Sequence, residues 1–490
     1  MAQRRGRAPK KKATKQRAAR SVAATSTDPF RHVVLLMLEN RSFDHMLGVL
    51  QQVVPDVDGV PGGGTPRTNP DVAGALVAQL PVAVGVVDPD PTHEMVDVLE
   101  QIDDDNGRFV KNYERSNHGV TTAQKQAIMA YHPLDSLYAL HGLARAFVVC
   151  DRWHAPVPGP TWTNRLFAMS GTSLGRVKMP EGIFHPNLHG YAQPSLFRRL
   201  EEAGRSQRIY FGDFPLSLLL ADRRRPLAAL RLRDLERFFD DAAGDEADVP
   251  DFTFIEPRYM NDPDDDHPPH DVANGQELIA RVYNAIRANR ALWESTLLVI
   301  TYDEHGGFYD HVAPKPAIPP DDHHEEYAFN SLGVRVPAVL VSPWLAPDPV
   351  HTLCDHTALL KSLQVKWGLG DMGARVAQAP DILAGLALTS AVRQDTPPRL
   401  GLPPATAVAP EVRRARAISR RVAVAAPLND HQRAIVAFSA YLETQTPAPA
   451  SRKVSAAARV MRSPADARAV AEERARRYLA YLSSRAKRRR

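Results

Sequence analysis

The hydrophobic positions fall into two patterns. In the first, apolar residues run without interruption and then stop. These runs are HVVLLML at 32–38, FVVC ending at Cys150, FTFI at 252–255, LLVITY at 297–302 and VPAVLV at 336–341. A strand with one wet face alternates polar and apolar residues, so unbroken runs predict strands covered on both faces, as in a parallel sheet. In the second pattern apolar residues recur three and four apart. NGQELIARVYNAIRANRALW at 274–293 is the clearest case. SLFRRLEEAG at 195–204 stops at a glycine, and DHTALLKSLQVKWG at 355–368 has an Asp to cap its start and a Gly to end it. Helical patterns alternate with strand patterns over most of the chain. The expected fold class is α/β: a doubly wound, mostly parallel sheet with helices on both faces, plus a helical C-terminal extension.

The spaces between these patterns set the expected organisation. Residues 1–27 form a basic tail without periodicity, and 28–395 hold the main domain. A Pro/Ala-rich linker at 396–427 leads to a basic helical extension at 428–490, with helical patterns at 429–443 and from 464 onward. The Gly/Pro-rich stretch 52–92 and the highly charged stretch 212–250 read as insertions or lids over the strand ends. Within the first, GALVAQLPVAVGVV suits either an apolar lid or an internal hairpin.

Composition changes this picture in three places. The chain of 490 residues is 44% hydrophobic, ample for a large core, yet has no apolar run long enough to cross a bilayer. Two cysteines far apart, Cys150 and Cys354, read as buried thiols. The formal charge of +5 conceals an acidic body. Nine Lys/Arg and no acid stand in residues 1–20, and 451–490 carry a net +10, leaving about −14 between them. Such tails suit peripheral contact with a membrane or an anionic polymer; no specific nucleic-acid recognition is expected. Arg4-Arg5 is not followed by the apolar stretch of an export signal, so the expected location is cytoplasmic.

The chemistry gathers where the runs end. Ligands of open α/β sheets sit at the carboxyl ends of the strands. The first run ends on Glu39-Asn40 and LLVITY ends on Asp303-Glu304. Three carboxylates and an amide at one sheet edge repel unless a cation lies among them. An all-oxygen set favours Ca²⁺, Mg²⁺ or Mn²⁺ as the divalent metal. A zinc site using His305 with Asp310 or His311 stays open. After Cys150, Pro158-Gly159-Pro160 make a rigid turn into a helix that starts at Thr161. A hydroxyl there serves either as a plain cap or, activated by a cation, as a nucleophile near N–H groups that favour anions. Asn164 and Arg165 could hold phosphate oxygens; His93 and His267 serve either a plain structural role or, near a phosphoryl group, to stabilise its charge or protonate a leaving oxygen.

LENRSFDHMLG, VPGPTWTNRLFAMSGTS, HPPHDVANGQELI, TYDEHGGFYDHVAP and VRVPAVLVSPW, in this order, resemble the phosphoesterase family of bacterial phospholipases C. That family also includes plant non-specific phospholipases C and bacterial acid phosphatases. The resemblance spans about residues 30–370. It implies an alkaline-phosphatase-like sandwich that hydrolyses phosphate esters, phospholipids among them, through a phosphorylated Ser or Thr assisted by metal. Carried over by motif, Thr161 takes the nucleophile's place, Glu39, Asn40, Asp303 and Glu304 the metal's, and His93 and His267 flank the phosphoryl group. Many relatives are exported, which keeps an extracellular location open. Thr163 and Lys315 stand where the family tends to have proline. The resemblance says nothing about residues beyond 396. A different reading is a lipid- or nucleic-acid-binding protein with a weakly active or inactive body. A sulfatase is not expected, because threonine cannot become formylglycine.

Overall fold

The computed structural model describes residues 28–180, 182–401, 427–447 and 463–488. Its strands are β1 (His32–Leu38), β2 (Thr68–Pro70), β3 (Leu76–Ala78), β4 (Val148–Val149), β5 (Trp153–His154), β6 (Gln207–Phe211), β7 (Leu232–Asp234), β8 (Phe252–Glu256), β9 (Thr296–Tyr302), β10 (Ala338–Val341) and β11 (Cys354–Asp355). Seven of them form one sheet in the order β4-β10-β9-β1-β8-β6-β7. The pairs β9-β1, β1-β8, β8-β6 and β6-β7 are parallel, while β10 runs antiparallel to β9 and β4. Every residue of β1, β8, β9 and β10 is buried, which is why their sequences show no alternation.

Helices Tyr138–Ala146 and Val272–Ala288 pack on each other and on the sheet; Thr161–Ser170 and His356–Trp367 form a second pair in the same core. Asp355 caps the last of these through Thr357 N–H, and Gly368 ends it in the left-handed conformation. The helix expected over 274–293 is two helices. Asn289 takes an extended conformation, and its side chain accepts from Leu292 N–H to start Arg290–Ser295. Periodicity alone runs through such a break because both pieces keep their apolar side toward the core.

The two expected insertions differ in kind. Residues 212–250 are part of the fold, since they supply β7 to the sheet edge and the helix Glu236–Ala243. In the 52–92 stretch β2 and β3 form an antiparallel hairpin. Its Val77 joins Val87, Val98, Phe109 and Phe308 in a separate small core. The tail 1–27 and linker residues 402–426 lie outside the described residues. The helices of the extension, Asp430–Thr444 and Pro464–Lys487, are packed on each other and share the main core. Phe438 meets Trp162 of the Thr161 helix and Phe214 edge-on, at 5.8 and 5.7 Å between ring centres.

One buried ion cluster ties the loops after β1 and β9 together. Arg335, fully buried, holds Asp310 at 2.9 Å and Asp44 at 3.1 Å. It also donates to the carbonyls of Asp58 and Asp151. His311 stands between Asp44 and Asp58, at 2.9 and 3.0 Å. Removing the guanidinium leaves two buried carboxylates facing each other. Arg335→Met is therefore expected to cost about 3–5 kcal/mol of stability. Denaturant unfolding of the two proteins checks this, and a loss below about 1 kcal/mol would show the cluster to be solvated instead.

Candidate active site

The pairing of β1 with β9 sets Leu38 opposite Tyr302. The residues that follow each strand therefore emerge side by side. Glu39, Asn40, Asp303 and Glu304 are all fully buried. Asp303 Oδ1 accepts from the backbone N–H of Asn40, at 3.1 Å, and of Glu304, at 2.7 Å. Asn40 sits in the left-handed region with φ of 61°. Gly306 is required opposite it, because a Cβ at that position would lie 2.3 Å from the Asn40 carbonyl oxygen. That contact explains the glycine after DEH.

Pro160 caps the next contributor, the helix Thr161–Ser170. Thr161 is its first residue, so the hydroxyl is not spent on capping. It is fully buried and donates to Asn40 Oδ1 at 3.3 Å. The Asn40 amide thus bridges Thr161 and His93, whose Nε2 lies 3.1 Å away. Two expected substrate ligands have other duties. Asn164 accepts from Val157 N–H and donates to the carbonyls of Gly159 and Pro160, which locks the turn before the helix. Arg165, also fully buried, pairs with Asp303 at 3.1 Å and Glu39 at 3.0 Å and donates to the carbonyls of Met37 and Leu38. Arg165 is thus engaged by two carboxylates and two carbonyls, while its Nη1 has no hydrogen-bond partner among the described residues.

The carboxylates thus already have one cation inside the protein. It does not balance them. Burial holds Asp303 above the ordinary carboxylate range; Arg165 opposes this, and the charges of Glu39 and Glu304 add to it. Glu304 Oε1 is buried without a hydrogen-bond partner among the described residues, and Glu39 Oε1 lies near Arg165 but out of line for a hydrogen bond. Glu304 Oε1, without a partner, and Glu39 Oε1, held only by the Arg165 ion pair, are oxygen donors of the kind that fit a divalent cation. Nitrogen is at hand as well. Glu39, His267 and His431 bring ligand atoms within 4.8 Å of one another, as do His93, His267 and Asp430. An all-oxygen set therefore describes only part of the donors available. The zinc alternative is not assembled as expected: His305 turns to Gln101, and Asp310 and His311 belong to the Arg335 cluster.

The two expected histidines do converge. Their rings lie 5.3 Å apart, and both are buried. Asp430 stands between them, 3.1 Å from His93 Nε2 and 3.3 Å from His267 Nε2. Burial works against a charge on His93, but Asp430, Glu304 and Asp90 outweigh it and hold the imidazole above its ordinary pKa. For His267 burial is likewise outweighed, by Asp90, Asp430 and Glu39. Both rings are thus held above the ordinary imidazole pKa. Glu39 stays ionised: burial raises its pKa, yet His431 and Arg165 bring it well below the carboxylate range. His431 Nδ1 is 2.6 Å from Glu39. Asp430 and His431 come from the extension, 126 and 127 residues beyond Glu304. They head the helix Asp430–Thr444, which Asn429 caps. The sequence signal for them was the NDHQ at that helix start, acidic and basic groups side by side before an apolar stripe.

The arrangement can be set against known proteins. Non-specific phospholipase C5 of Arabidopsis thaliana is 35% identical over 351 residues, which cover 66% of this chain and 65% of that protein. Non-specific phospholipase C3 of the same plant is 33% identical over 360 residues, covering 67% and 66%. The match thus spans just under two thirds of the length of these plant relatives. Phospholipase C B of Mycobacterium tuberculosis is 29% identical over 395 residues, covering 69% and 73%. Among solved structures, the phosphonate monoester hydrolase of Agrobacterium radiobacter aligns with a TM-score of 0.32 at 10% identity, covering 69% of this chain and 74% of that one. The model of the Phosphoesterase family matches residues 30–370, which hold the β1 and β9 strand ends and the Thr161 helix, and the chain belongs to that family.

Proposed function

We propose that this protein hydrolyses phosphate esters through a phosphorylated Thr161. The observation that carries the reading is the Thr161 hydroxyl, the first side chain of a buried helix, uncommitted to capping and bridged through Asn40 to His93. The N–H groups of that helix end favour the phosphoryl oxygens. Two imidazolium rings 5.3 Å apart add positive charge for the same group. Thr161 Oγ1 attacks phosphorus as its proton passes to solvent. The ester oxygen departs with a proton from His93, which leaves that ring neutral. A water then cleaves the phospho-threonine: its oxygen goes to phosphorus, one of its protons to His93, and the Thr161 oxygen takes a proton back from solvent, restoring the starting state. Glu39, Asn40 and Glu304 would hold a divalent cation, whose chemistry when bound is to lower the pKa of a hydroxyl and offset phosphoryl charge. The names of the plant and bacterial relatives support a phospholipid ester, cleaved on the glycerol side. Asp430 is a positioning residue here: it orients both rings and keeps them charged.

Thr161→Ala should lower turnover of p-nitrophenyl phosphate by at least about 10³-fold, while Thr161→Ser keeps a measurable fraction. Acid-quenched wild-type enzyme should yield a phosphopeptide containing Thr161 by mass spectrometry. Near-normal turnover of Thr161→Ala would mean that water attacks phosphorus directly.

Exhaustive chelation should inactivate the enzyme, and Ca²⁺, Mg²⁺ or Mn²⁺ should restore it better than Zn²⁺. Glu304→Gln should weaken metal uptake, read by elemental analysis, without changing far-ultraviolet circular dichroism. Full activity after chelation would remove the cation from the mechanism.

Asp430→Asn should reduce kcat by about 10–100-fold, with the alkaline limb of the pH–rate profile moved to lower pH because the imidazolium partners lose their counter-charge. An unchanged profile would reduce Asp430 to a structural cap.

A further inference from the structure

Beside the catalytic histidine lies a groove to which the reaction assigns nothing. Its volume is about 630 Å³, within the usual range of ligand pockets. Met95, Val96, Leu99, Val177, Met179 and Tyr327 form its apolar lining, with Glu94, Lys178, His185 and Glu326 as its polar members. Its lining adjoins active-site segments in two ways. Glu94, which lines the groove, follows His93 directly in the chain. Met95 covers the turn before the nucleophile, with its Cε placed 3.3 Å from where a Cβ on Gly159 would be. Met95 and Val177 also pack with Val157 and Phe167, which belong to that turn and to the Thr161 helix. Its outer end opens on apolar residues that a water-facing surface does not explain. Val96 is 75% exposed and Leu99 41%, one turn apart on the same helix. Phe184, next to the lining His185, is 89% exposed.

We propose that this groove takes the acyl chains of a lipid phosphoester, and that Val96, Leu99 and Phe184 enter the lipid surface from which the substrate is drawn. The placement follows from the chemistry. His93 protonates the departing oxygen, so the alcohol leaves from the side on which His93 stands. The groove begins at the next residue. An alcohol carrying long chains therefore lies in the groove while its phosphoryl group stays with Thr161. Small water-soluble alcohols have no use for such a groove, and an exposed phenylalanine beside it costs solubility without return unless it meets lipid. This inference rests on the phosphoesterase reading and deepens it by placing the lipid.

The test uses the full chain and two exposed substitutions outside the catalytic machinery, Val96→Asp and Phe184→Ser. Turnover is measured on dioleoyl phosphatidylcholine vesicles and on p-nitrophenyl phosphate, and vesicle binding is measured by co-sedimentation. Each variant should lose at least about tenfold in kcat/KM on the vesicles and sediment less with them, while hydrolysis of the soluble ester stays within about twofold. Unchanged lipid turnover in both variants, or an equal loss on both substrates, overturns the groove assignment. Wild-type protein that cleaves the soluble ester but neither binds nor cleaves vesicles also overturns it and leaves the esterase reading standing. Wild-type protein that binds vesicles through Phe184 yet cleaves no ester supports the lipid surface and sinks the esterase reading.

Discussion

The whole site hangs on one buried guanidinium. Arg165 reaches from the second turn of its helix into the seam between β1 and β9 and pairs with Glu39 and Asp303. Carboxylates at two adjacent strand ends would repel each other in a medium that screens them poorly. With Arg165 between them they can be buried together, and the helix that carries Thr161 is fixed against the sheet edge by the same contact. Its bonds to the Met37 and Leu38 carbonyls anchor it to the end of β1 itself. Thr161, the acidic pairs and the strand ends are therefore one mechanical unit. Loss of the guanidinium would do more than remove a charge, since it would release the helix start from the strands it is aligned with.

A second set of charges closes the site from outside the matched region. His93 lies just before the helix that begins at Met95, and His267 follows β8 in the chain, where Asp90 already pairs with it at 3.1 Å. Asp430 is the acid that reaches both rings. The extension can deliver this residue only because its helix is docked. Phe438, two turns further on, is wedged against Trp162 and Phe214, and Gln432 donates to the Tyr259 carbonyl at 2.7 Å. Apolar packing thus positions an electrostatic partner, and the charge state of two histidines becomes a consequence of how the C-terminal helix seats in the core. The same docking makes the extension part of the main core and not an appendage to it.

Much of this was readable in the chain. Unbroken apolar runs gave five strands of the main sheet because burial on both faces removes alternation. Glu39-Asn40 and Asp303-Glu304 stood out because polar groups that follow such runs must emerge at a sheet edge. Pro158-Gly159-Pro160 marked the turn into the Thr161 helix. β6 and β7 escaped notice, since QRIYF and LRD mix polar with apolar residues toward one side of the sheet. The contacts of Asn164 and Arg165 to carbonyls and carboxylates were not readable, because a helix position says which side chains share an end but not which groups of other segments meet them there.

What the sequence determined by itself was local and periodic: which segments are strands, where each stops, and which chemical groups stand at the stops. Those properties depend on neighbours along the chain. The tertiary structure alone decided the groupings. The register of β1 against β9 set the two acidic pairs side by side. The docking of a helix from the C-terminal extension, well over a hundred residues beyond the last of those acids, placed Asp430 between two histidines and His431 against Glu39. Charge pairing acts through distance in space, and separations of that length in sequence leave no periodic trace from which to infer it.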